Sequence, residues 1–193
     1  GSNASGKSTF LKTTALNAIL AQTLHTCTAH AYQGQFFSIY SSMALRDDLG
    51  SKESYYIVEI KSLKRILNQI DPKKPLLCFV DEVLRGTNTV ERIAASAQVL
   101  ESLARPEVLC FAATHDIELT RLLEQEYDNY HFQEEIVGED ILFHYILQEG
   151  RATSRNAIRL LGMIGYDEAI IKDAQQTAEH FLLTGEWELH PGK

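Results

Sequence analysis

Gly1-Ser2-Asn3-Ala4-Ser5-Gly6-Lys7-Ser8-Thr9 opens the chain and matches G-x-x-x-x-G-K-S, the pattern of a phosphate-binding loop. Each part of the pattern answers a chemical need. A glycine-rich loop can turn its backbone N–H groups inward around a polyphosphate. A helix that starts from the loop aims its positive end at the same anion. Lys7 supplies a mobile cation for the β- and γ-phosphates, and the Ser8 hydroxyl is suited to ligate Mg²⁺. Phe10, Leu11, Ala15, Leu16, Ile19 and Leu20 recur at helical spacing, so a buried helix is expected over residues 7–23. Short Gly/Ser/Asn/Ala stretches are also left behind by cloning. The spacing of Gly1 from Gly6 is what favours the loop. No strand is visible before the loop, and the chain is expected to be a segment of something longer.

The bulk numbers bound the function classes. At 193 residues, with 45% apolar composition, the chain can build one domain with a sizeable core. No apolar run approaches the ~20 residues of a membrane span, so no membrane association is expected. Cys27, Cys78 and Cys110 fit no metal spacing. Two of them lie in apolar runs, which points to buried free thiols in a reducing cytoplasm. The net charge of −8 makes this segment a poor holder of nucleic acid by itself, because phosphate neutralisation supplies most non-specific affinity.

The pattern along the chain predicts alternating strands and helices. Residues 28–40 read as extended structure broken at Gln33-Gly34, and 41–53 as loop. A helix follows from Ser54, with Ile57, Ile60, Leu63, Leu67 and Ile70 on one face, closed by Asp71-Pro72-Lys73-Lys74-Pro75. Leu76-Leu77-Cys78-Phe79-Val80 is an unbroken apolar run, the mark of a central strand buried on both faces. Residues 89–104 read as helix, 108–113 as a second buried strand and 117–125 as a short helix. A hairpin is expected over 127–136 and 141–147, then two helices over 156–163 and 167–183. The class implied is α/β with a mostly parallel core sheet.

The central strand delivers Asp81-Glu82 to the carboxyl edge of the sheet, the Walker B pattern. Asp81 is expected to hold Mg²⁺ through water, and Glu82 to orient and deprotonate the attacking water. Adjacent positions at a strand end point differently and can take different tasks. The next strand ends in Thr114-His115, where a histidine can reach a γ-phosphate. Thr89 is a candidate cap of the helix it begins, in a turn polar enough to meet a partner subunit. Ser54 is either the N-cap of its helix or a second phosphate-binding element, serving a neighbour's nucleotide.

Together these stretches resemble the ATPase domain of the MutS family, the ABC-type ATPases of DNA mismatch repair and its relatives. The resemblance covers residues 1 to about 174. It is carried by the opening loop, Asp47-Asp48-Leu49, Ser54-Tyr55-Tyr56-Ile57-Val58-Glu59-Ile60, Asp81-Glu82-Val83-Leu84-Arg85-Gly86-Thr87-Asn88-Thr89, and Thr114-His115-Asp116-Ile117-Glu118-Leu119. It implies a P-loop ATPase core over 1–149 and a helical dimerisation element over 150–193. It also implies a homodimer in which ATP bound at Gly1 to Thr9 is completed by the partner's Ser54 helix, with hydrolysis opening the dimer. DNA would be held by domains outside this chain. The departures are Lys52 and Leu84 where the family has glycine, Tyr55-Tyr56 for Thr-Phe, no arginine near Ser42, and Arg155-Asn156-Ala157 for Ser-Tyr-Gly. They suggest a divergent branch. Two other readings stand beside an ATPase in DNA repair. One is a nucleotide-tightened dimerisation module with little turnover. The other is an ABC-type engine for transport, against which the lack of a Leu-Ser-Gly-Gly-Gln stretch argues.

Overall fold

The computed structural model of the chain describes residues 5–43, 55–137, 140–152 and 157–189. Gly1, Ser2, Asn3 and Ala4, the stretch Asp47-Asp48-Leu49, Lys52, Ser54, the hairpin turn at Gly138-Glu139 and Arg155-Asn156 lie outside the described residues.

With no polar side to show to water, the run from Leu76 takes the middle of a sheet. Strand β2 (Leu76–Asp81) lies between β1 (Ser38–Ser42) and β3 (Val108–Ala113), and both pairings are parallel. Parallel neighbours require crossover segments, and helices α2 (Tyr55–Leu67) and α3 (Thr89–Leu103) supply them. Strand side chains alternate between faces, and β2 divides its residues accordingly. Leu76, Cys78 and Val80 join Leu63 and Ile66 of α2 and Leu100 and Leu103 of α3 in one core. Leu77 and Phe79 join Leu11, Ala15 and Ala18 of α1 (Lys7–Leu24) in a second. The two small alanines let α1 lie close to the sheet. Cys78 and Cys110 are register partners across β2 and β3, and both are free thiols. Their hydrogen bond, together with burial, pushes the Cys78 thiol up, which keeps it protonated and inert.

Several expectations are corrected by this arrangement. Of residues 28–40, only the end is strand. Among the described residues, 25–37 carry no ladder and are tied to α1 by side-chain amides instead. Asn17 Oδ1 accepts from the Thr28 N–H at 2.7 Å. Gln22 both accepts from the Phe37 N–H at 3.2 Å and donates to its carbonyl at 3.1 Å. The amides do the work of a neighbouring strand. The buried stripe of α1 is Leu11, Ala15 and Ala18, whereas Leu16 and Ile19 face solvent. Strand β3 is only partly covered, with Leu109 exposed, because it ends the described sheet while β2 has a neighbour on each side. Asn88, not Thr89, caps α3: its side-chain oxygen accepts from the Glu91 N–H at 3.0 Å.

Contacts divide the chain into two compact units. One holds Gly6–His131 and Leu147–Arg151 and contains the parallel sheet. It also contains the short helix α4 (Ile117–Leu122). The other gathers Ser5, Phe132–Ile146 and the C-terminal helices. Strands β4 (Tyr130–Val137) and β5 (Asp140–Glu149) pair with each other. Helices α5 (Ala157–Ile164) and α6 (Glu168–Thr184) pack together, with Gly162 against Ile171. Neither helix buries a residue, and Ile164, Tyr166, Leu183 and Trp187 are exposed. Among the described residues no helix is long and apolar enough to cross a membrane.

Candidate functional site

Gly6 enters α1 with φ 99°, a left-handed conformation that a side chain would oppose, so glycine is required there. Its carbonyl accepts from the Phe10 N–H at 2.8 Å, and Lys7, Ser8 and Thr9 form the first turn of the helix. Phe10 meets Phe111 edge-on at 6.4 Å, and Phe79 stacks on Phe111 at 5.4 Å. Leu11 shares a buried cluster with Phe79 and Ala113. These contacts set the start of α1 at the carboxyl ends of β2 and β3, the edge that also carries the acidic pair. Ser5 is buried and belongs to the second unit.

Asp81 is the last residue of β2, in register with Ala113. Its Oδ1 is buried without a hydrogen-bond partner. A buried carboxylate oxygen with no donor is a rarity that calls for a missing partner, and a hydrated cation is one that suits oxygen ligands. Glu82 follows with φ 58°, and its N–H donates to the Ala113 carbonyl at 2.9 Å. That bond continues the ladder by one residue while the backbone already turns. The Glu82 carboxylate is ion-paired with Arg85 and lies 3.1 Å from Nε2 of His115. His115 in turn sits on a braced corner. Asp116 takes both guanidinium contacts of Arg92 from α3, at 2.9 and 2.7 Å, and its N–H donates to the Thr114 hydroxyl at 3.0 Å. The structure therefore brings Glu82 and His115 into contact. It sets Asp81 and the first turn of α1 at the same sheet edge. Ser54 and the first four loop residues lie outside the described residues.

The turn after Glu82 is where sequence reading missed most. Leu84, at φ 57°, is a second left-handed residue without the glycine that eases such a backbone. Residues held this way cost on the order of 1–3 kcal/mol each and persist only where their surroundings over-determine them. Here they do. The carboxylate of Glu59, itself buried on α2, accepts from the Leu84 N–H at 2.5 Å and the Arg85 N–H at 3.1 Å. The Ser96 hydroxyl of α3 donates to the Val83 carbonyl at 3.2 Å. Burial raises the Glu59 carboxyl above its usual range, and the two amides and the Arg85 charge pull the other way. Leu84 is buried in the α2–α3 core.

Gly86 completes the lock. A Cβ there would lie 2.7 Å from Cβ of Tyr56, an atom fixed to the α2 backbone that cannot rotate away. Gly86→Ala is therefore expected to destabilise the chain by about 1–3 kcal/mol. The check is a lower denaturant midpoint at unchanged m-value. An unshifted midpoint would show that α2 and the turn are not in close contact.

Comparison with known proteins bears on what this site is. The family model for MutS domain V matches residues 1–182. The chain is 31% identical over 176 residues to the DNA mismatch repair protein MutS of Thermus aquaticus, a match that covers 91% of this chain and 22% of that protein. The chain belongs to the MutS family, within which it corresponds to domain V.

Proposed function

We propose that this chain is the ATP-binding and ATP-hydrolysing part of a MutS-like DNA repair or recombination protein, an ABC-type P-loop ATPase on a divergent branch of the family. In this reading Mg-ATP draws two copies together, hydrolysis lets them part, and DNA is held elsewhere in the assembly. The observation that carries it is the meeting, at one sheet edge, of the Gly6-Lys7-Ser8 helix start, an orphaned Asp81 oxygen, and the Glu82–His115 contact.

The chemistry assigned to these residues is in-line attack of water on the γ-phosphate. Lys7 and the amides of the loop hold the phosphates. Ser8 and Asp81 are the residues that would hold Mg²⁺, which when bound neutralises charge on the phosphate oxygens. Glu82 orients water and takes its proton. His115, in contact with Glu82, reports on the γ-phosphate. Ser54 acts on the partner's nucleotide. The residues of 150–193 supply part of the dimer contact, which the exposed apolar side chains of α5 and α6 support.

One observation favours the quieter alternative, a nucleotide-tightened dimer with little turnover. Oε1 of Glu82 is already engaged by both Arg85 and His115. Light scattering with and without Mg-ATP, run beside a phosphate-release assay, separates the two. Dimerisation with steady release supports the ATPase, and dimerisation without release supports the module. No binding of Mg-ATP by the protein would end both.

A further inference from the structure

We propose that Glu59 is a positioning residue for the candidate base: its buried carboxylate holds the Leu84 and Arg85 amides, and through that turn fixes the direction of the Glu82 side chain and makes α2 and the 82–88 turn one mechanical piece. The inference rests on the ATPase reading for what Glu82 does. It rests on geometry alone for what Glu59 holds.

The argument is an accounting of the turn's backbone. The Glu82 N–H is taken by Ala113, the Val83 carbonyl by Ser96, and the Leu84 and Arg85 N–H groups by the two oxygens of Glu59. Successive amides that point to one side of a turn form a small anion-binding concavity. Here the chain fills it with a carboxylate from another helix. The residue so held is the one that grips the base: the Arg85 N–H bonds Glu59 while its guanidinium pairs with Glu82. Glu59 also lies on the helix that follows Ser54. The close approach of Tyr56 to Gly86 is a second tie between α2 and this turn. Were Glu59 there only to fill space, an apolar residue would serve better among Leu63, Ile66 and Val83.

Three measurements test this. In the protein carrying Glu59→Gln, turnover is expected to fall about 10- to 100-fold, the loss typical when an outer partner that orients a functional group is removed. The KM for ATP should stay within about twofold. Ser62→Ala, on the same buried face of α2, should leave both unchanged. Equal loss in kcat and affinity, or no loss, would overturn the assignment. Amide exchange reads the clasp without activity. In the unaltered protein the Leu84 and Arg85 amides should exchange slowly, and in Glu59→Gln they should exchange faster while α2 stays protected. Fast exchange in the unaltered protein, or no change in the variant, overturns the proposal whether or not the protein hydrolyses ATP. An unaltered protein that protects these amides yet hydrolyses nothing would instead strike the ATPase reading.

Discussion

Replacing Glu82 with glutamine is expected to leave Mg-ATP binding within a few-fold of the unaltered protein and to slow phosphate release by about 10²- to 10⁴-fold, the usual contribution of a positioned general base. Glutamine keeps the size and one acceptor oxygen but cannot take a proton. Its structural effect should be small. The Arg85 side chain that loses its partner is half exposed, so water replaces the carboxylate. The contact with His115 survives in form, because the amide oxygen can still face Nε2 at the present 3.1 Å. Binding and turnover should therefore separate cleanly, by equilibrium titration for the first and single-turnover phosphate release for the second. Normal release from the variant would remove Glu82 from the chemistry and leave its ion pair as a structural tie.

How much of this was legible in the residues depends on what each signal measures. Apolar patterning located the core strand and the order of helices, because a strand buried on both faces of a parallel sheet reads as an unbroken apolar run, here short and bounded by the Asp71–Pro75 turn. It was less reliable about which helix face is inside. On α2 the apolar count chose Ile57, Ile60 and Leu63, yet Ile57 and Ile60 are exposed, and the buried row includes Glu59, Ser62, Leu63 and Ile66. The count fails there because it treats a carboxylate as an outward residue. Glu59 is inward because two backbone amides 25 and 26 positions away need an acceptor. No local pattern contains that need. Similarly, Gln22 and Asn17 hold the segment before β1 by side-chain bonds that mimic a ladder, where the sequence pattern reads 28–40 as extended structure.

The departure at Leu84 shows the same lesson from the other side. A leucine where the family resemblance leads one to expect glycine looks like a weakened turn. The backbone there is left-handed, so a glycine would indeed be easier. What leucine adds is a buried side chain in the α2–α3 core, and what Glu59 adds is a hold on the amide that keeps the turn in place. Burying a leucine side chain stabilises by roughly 1.5–3 kcal/mol, of the same order as the backbone strain it accompanies. The acids at 81 and 82 could be named from a motif. The reason they stay where they are could not.

Asp81→Asn should have opposite effects on stability and on metal dependence. In the nucleotide-free protein the Asp81 Oδ1 is buried with no donor facing it, which costs about 1–3 kcal/mol or more for a charged group. Asparagine keeps the shape and removes the charge. The variant should therefore melt higher, by up to a few degrees, in EDTA without nucleotide. The same change removes one unit of negative charge from the place where Mg²⁺ is expected. At an effective dielectric near 20 and a separation of about 4 Å, that charge is worth about 4 kcal/mol per unit of cation charge before desolvation is subtracted. A 10- to 100-fold rise in the Mg²⁺ concentration needed for tight ATP binding is the conservative expectation. Thermal scans in EDTA and Mg²⁺ titrations of ATP binding measure the two effects independently. A site shaped for a cation predicts gain in the first and loss in the second. An aspartate kept only to finish β2 predicts no change in the second, and that result would show that the orphaned oxygen faces something other than a metal.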